Sequence, residues 1–90
     1  MAKKIAVIVR DRPAEALRMS IGLIVLDDEV ELFVTEPLNE GDAAYLNNEV
    51  KDLVSGVTTT VPLKGVDDVA EITVEDMATK LLQFDNILPY

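Results

Sequence analysis

Residues Ile5-Ala6-Val7-Ile8-Val9 are aliphatic without a break. A strand with one wet face alternates apolar and polar side chains. A strand apolar on both sides has to be covered on both, as a central strand of a parallel sheet is by flanking helices. The run therefore calls for an α/β domain. Hydrophobic residues make up 49% of the chain, yet it has only two Phe, two Tyr and no Trp. Its core must come from Val, Ile, Leu and Ala, which suits such a sheet. Ninety residues are read as one domain, 1–90, on the small side for a stable core.

The rest of the chain continues the pattern. Arg10-Asp11-Arg12-Pro13 ends the first strand, with Pro13 suited to the first position of a helix. Ala14, Leu17, Ile21 and Ile24 then recur at helical spacing, with Glu15, Arg18 and Gly22 opposite. Residues 21–26 have an alternative as a strand in a hairpin with 29–34, but Asp27-Asp28 lacks the Gly that a two-residue turn prefers. In the second strand, 29–35, Val30, Leu32 and Val34 alternate against Glu29, Glu31 and Phe33. After a polar loop over 36–41, Asp42 reads as the cap of a second helix. Leu46, Val50, Leu53 and Val54 would form its inner face, with Gly56 in the C′ position.

Residues 57–61 are β-branched throughout and form a short third strand, ended by Pro62. The connection over 63–72 includes a short extended piece around 69–72. Thr73 and Asp76 resemble a capping box, and Ile72 and Met77 are spaced as a hydrophobic staple. Val74, Met77, Ala78, Leu81 and Leu82 give the clearest amphipathic stripe, and residues 86–88 form the last strand. The expected architecture is a mainly parallel sheet with helices on its faces, in the order β-α-β-α-β-α-β, with right-handed crossovers.

The chain contains no Cys and no His. That excludes the usual catalytic triads, zinc sites built from His and Cys, haem ligation and thiol chemistry. Its net charge of −9 argues against nucleic acid and anionic membrane surfaces as partners. No apolar stretch is long enough to span a bilayer, and the N-terminus lacks a signal-peptide pattern, so a cytoplasmic protein is expected. No cofactor or metal is expected. Asp27-Asp28-Glu29 and Asp67-Asp68 read as solvated acidic faces, since adjacent carboxylates rarely converge on one ion.

In open parallel sheets ligands sit outside the carboxyl ends of the strands. Five of the eight basic residues fall within the first eighteen positions. Arg10 and Arg12, joined by Lys64, are the candidate anion site beside the first helix N-terminus. The competing reading is a solvated rim on which Arg10 and Arg12 pair with Glu36 or Glu40. The first turn lacks the G-x-G-x-x-G pattern, which disfavours a dinucleotide. Thr58, Thr59 and Thr60 lie in a strand, Ser20 and Ser55 on helices, and no residue pattern marks a base that would activate them or Tyr45. Ile87, Leu88 and Tyr90 are candidate interface residues, because a small aliphatic domain without disulfides is expected to bury apolar surface by self-association.

The opening strand Lys4-Ile5-Ala6-Val7-Ile8-Val9, the segment Asp28-Glu29-Val30-Glu31-Leu32-Phe33-Val34 and the step Val54-Ser55-Gly56-Val57 resemble the DsrE/DsrF/DsrH-like family of small sulfur-relay proteins. So does the closing block from Ile72-Thr73-Val74-Glu75-Asp76-Met77 to Asp85-Asn86-Ile87-Leu88. The resemblance implies a DsrE-like α/β fold and an oligomer of like or related subunits. Some members carry sulfur on a cysteine just after the third strand. Here that region reads Thr60-Val61-Pro62-Leu63, so no catalytic residue carries over. What the resemblance implies is a non-catalytic assembly subunit. The rival reading is a small-anion or nucleotide-binding module on the Arg10/Arg12 edge.

Overall fold

β1 (Lys4–Val9) sits inside the sheet, as its unbroken aliphatic run requires, with Ile5, Ala6, Val7 and Val9 all buried. The computed structural model describes residues 3–26, 28–67 and 69–90. Around β1 lie β2 (Glu29–Val34), β3 (Gly56–Thr59), β4 (Ala70–Glu71) and β5 (Asn86–Pro89), interleaved with α1 (Pro13–Val25), α2 (Glu40–Tyr45) and α3 (Val74–Leu81). The five strands are parallel, in the order β4-β3-β2-β1-β5. The expected α/β architecture is the observed one. The extended piece anticipated around 69–72 supplies β4.

Register divides the side chains between two faces. Val7 lies level with Leu32 and Leu88, and Leu32 with Val57. This face packs against α1 through Ala16 and Leu17, and against α2 and the segment that follows it through Ala43, Leu46, Val50 and Val54. The other face carries Ala6, Phe33 and Thr58, and α3 lies over it. Phe84, in the turn after α3, meets Phe33 edge to face with centroids 5.6 Å apart. Lys80 Nζ lies 5.9 Å from the Phe33 ring centroid.

Four local expectations are corrected. On α1 the fully buried residues are Ala16, Leu17 and Ser20, whereas Ala14, Ile21 and Ile24 are half-buried. Small side chains at 16 and 20 let the helix approach the sheet, and Ser20 Oγ donates to the Ala16 carbonyl at 2.8 Å. The cap of α2 is Asn39, not Asp42: Asn39 Oδ1 accepts from the Asp42 backbone N–H at 2.8 Å. Leu53 is 51% exposed, because residues 46–50 form a π turn in which Lys51 N–H reaches back to the Leu46 carbonyl at 2.8 Å. One extra residue in the turn rotates the chain beyond it, so Val54 packs inward in place of Leu53.

The fourth concerns the segment 55–56. Ser55 lies in a bend beyond the π turn rather than on a helix, and Gly56 is the first residue of β3 rather than a helix C′ glycine. A Cβ on Gly56 would stand 2.9 Å from Glu31 Oε1 on the adjacent strand. Glycine fits there because a neighbouring side chain crosses it.

Candidate functional site

The carboxyl ends of the strands bring Arg10, Arg12 and Lys64 to one edge of the sheet but not to one place. Strands lie about 4.8 Å apart, so the ends of β1 and β3, with β2 between them, are separated by roughly 10 Å before any side chain extends. Arg10 is exposed at the end of β1. Arg12 is the residue preceding α1, and its side chain is taken up locally. It forms an ion pair with Glu15 at 3.3 Å, and its guanidinium carbon lies 5.1 Å from the Tyr90 ring centroid. Its backbone N–H donates to the Tyr90 carbonyl at 2.6 Å.

That arrangement weakens the Arg10/Arg12 edge as an anion site. Glu15 already places a carboxylate in the first turn of α1, where the helix dipole favours negative charge. The alternative pairing with Glu36 or Glu40 is not the one formed: among the described residues the ion pair is Arg12–Glu15. Lys64 lines a separate shallow cavity of about 230 Å³ with Glu40, Ala43, Ala44 and Gly65 at the start of α2.

The segment after β3 is a closed turn. Thr59 is buried, and its hydroxyl lies 2.6 Å from the Val61 carbonyl and 3.0 Å from the Val34 carbonyl while accepting from Val61 N–H at 3.1 Å. Thr60 N–H is bound to the Val34 carbonyl at 3.0 Å. A hydroxyl held by three backbone groups with no base beside it is a structural part of the turn. Thr58 is buried in β3 under α3's side of the sheet, and the buried Ser20 hydroxyl is satisfied within its own helix.

A larger groove, about 310 Å³, opens at the amino ends of the strands, where no sequence motif points to a site. Lys4, Glu29, Glu31, Ser55, Lys80 and Phe84 line it. The alternation of Glu29, Glu31 and Phe33 along β2 is its one signal in the sequence: it places two carboxylates on the aromatic face. Recognising the groove also requires knowing that α3 ends there. The lining mixes both signs of charge around a phenyl ring and contains no nucleophile paired with a base. Among the described residues no three acidic side chains converge to hold a metal ion. Asp27 and Asp68, members of the two acidic runs, lie outside the described residues.

The candidate interface residues divide between the two sides of the sheet. Ile87 is 43% exposed, on α3's side. Leu88 and Tyr90 are half-buried against the α1 core, and Tyr90 Oη donates to Met19 Sδ at 2.6 Å. α3 buries none of its residues, and Val74 and Leu82 are 63% and 85% exposed. Among the described residues no helix is long and apolar enough to cross a membrane. No protein family, curated protein or solved structure matches the chain.

Proposed function

We propose that the chain is a cytoplasmic, non-catalytic assembly subunit resembling the DsrE-like sulfur-relay proteins, working as a homo-oligomer or beside related subunits. The observation that carries this reading is α3. It is the clearest amphipathic helix in the sequence, and none of its residues is fully buried within its own chain. An amphipathic helix draws most of its stability from packing its apolar stripe. Met77 and Leu81 are half-buried against the sheet while Val74, Ala78 and Leu82 are exposed, and apolar residues left open on a small, strongly charged domain favour a role in association.

The chemistry supports the same reading. A persulfide needs a thiolate sulfur, and the chain has no Cys. The segment after β3, Thr60-Val61-Pro62-Leu63, carries no thiol, and the Thr59 hydroxyl at its start is taken up by the Val34 and Val61 backbone. Incubated with a labelled persulfide donor, the protein should retain no covalently bound sulfur, and light scattering at micromolar concentration should give a mass of at least two chains. Stable stoichiometric sulfur transfer would refute the non-catalytic role; a monomer would refute self-association.

A further inference from the structure

α3 leaves one flank uncovered, and its residues are regularly spaced. Val74, Ala78 and Leu82 follow one another at i, i+4 and i+8 and so form a single ridge. All three are exposed. The other flank is identified by its neighbours: Lys80, Gln83 and Phe84 line the groove beside Glu29, Glu31 and Ser55, on the side of β2 and β3. The ridge therefore faces the β5 side, where Ile87 is also exposed. Among the described residues β5 is the edge of the sheet and pairs with β1 alone.

The geometry points to a second copy of this chain as the occupant of this flank, paired about a two-fold axis through Ala78. The inference rests on the assembly role proposed above and names the partner and the mode. The ridge complements itself. Ala78 at its centre lets two antiparallel helices approach closely, and Val74 and Leu82 stand four residues to either side, so each Val74 meets the other copy's Leu82. The same axis sets β5 of one copy antiparallel to β5 of the other, where an open strand edge is otherwise exposed. The three ridge residues and Ile87 are also uncharged, on a chain of net charge −9. Two acidic copies repel except where uncharged surface meets uncharged surface.

The chain has no cysteine, so one introduced thiol reports on the contact without background. Under mild oxidation at micromolar concentration, Ala78→Cys should form a covalent dimer about tenfold or more faster than Asp76→Cys, which lies on the opposite flank, because a disulfide needs its Cα atoms within about 7 Å. Ala78→Arg should reduce the scattering mass to one chain with its circular dichroism unchanged, and added salt should strengthen the wild-type dimer by screening like charges. If Ala78→Arg disturbs the fold, Leu82→Glu at its open position makes the same test. An oligomer that neither charged variant dissociates, or in which Asp76→Cys cross-links as fast, overturns this pairing while leaving the assembly role standing. A wild-type monomer overturns both this pairing and self-association.

Discussion

Phe84→Ala should loosen α3 without disturbing the centre of the sheet. α3 has no fully buried residue, so its attachment depends on half-buried Met77 and Leu81 and on Phe84 against Phe33. Truncating a fully buried Phe costs about 3–5 kcal/mol, and an edge-to-face pair contributes about 0.5–1.5 kcal/mol beyond its area. Phe84 is half-buried, which puts the expected loss at about 2–3 kcal/mol. With a urea slope near 1 kcal/mol/M for a domain this small, the midpoint should fall by roughly 2–3 M. The transition should be followed by circular dichroism at one fixed protein concentration, since association contributes to apparent stability. Hydrogen exchange separates local from global effects. Amides of residues 77–81 should exchange about 30- to 160-fold faster, while those of β1 change less, if α3 opens as its own unit. An unchanged midpoint together with unchanged α3 exchange would refute the anchoring role of Phe84. Equal acceleration in β1 would show that α3 does not open separately.

The other predictions concern local geometry and the strand-end rim. Gly56→Ala should change stability by no more than about 1 kcal/mol, because the Cβ meets only the movable end of Glu31. Gly65→Ala, at φ 80°, should cost about 1–2 kcal/mol; a Gly56→Ala loss exceeding it in urea titrations would contradict the strand placement of Gly56. Asn39→Ala should cost about 1 kcal/mol by the same measurement and Asp42→Ala less, since Asn39 makes the cap. Millimolar phosphate should leave the amide resonances of residues 11–14 unmoved, because Glu15 and Tyr90 already engage Arg12; saturable shifts there would restore the anion-site reading.

The strands are legible because their signals are local. An aliphatic run marks β1, alternation marks β2, and β-branched residues mark β3, each within a few positions. Thr73 is legible for the same reason, and its hydroxyl accepts from Asp76 N–H at 3.1 Å as a cap should. The details that differ depend on contacts between distant segments. The π turn that exposes Leu53 brings Asn47 and Lys51 to the β3–β4 connection. Asn47 Oδ1 accepts from Asp67 N–H at 3.1 Å, and Lys51 Nζ donates to the Asp67 carbonyl at 3.1 Å. Twenty residues separate Asn47 from Asp67, so no helical periodicity near residue 50 contains that information.

The sites are less legible than the fold, and strand geometry explains why. The carboxyl-end rule groups Arg10, Arg12 and Lys64 by the correct edge of the sheet, but sheet order puts β2 between their strands. Ile87, Leu88 and Tyr90 form one apolar tail in the sequence. In a strand, adjacent side chains point to opposite faces, so the tail cannot present all of them to one partner. Leu88 joins Val7 on the α1 side, and Tyr90 closes over Met19. Ile87 is left exposed on α3's side of the sheet. An apolar segment that reads as a single sticky patch thus becomes part core and part surface once it pairs as an edge strand. The surface part gains its meaning from Val74, Ala78 and Leu82, which are exposed on the same side of the sheet but belong to a different element.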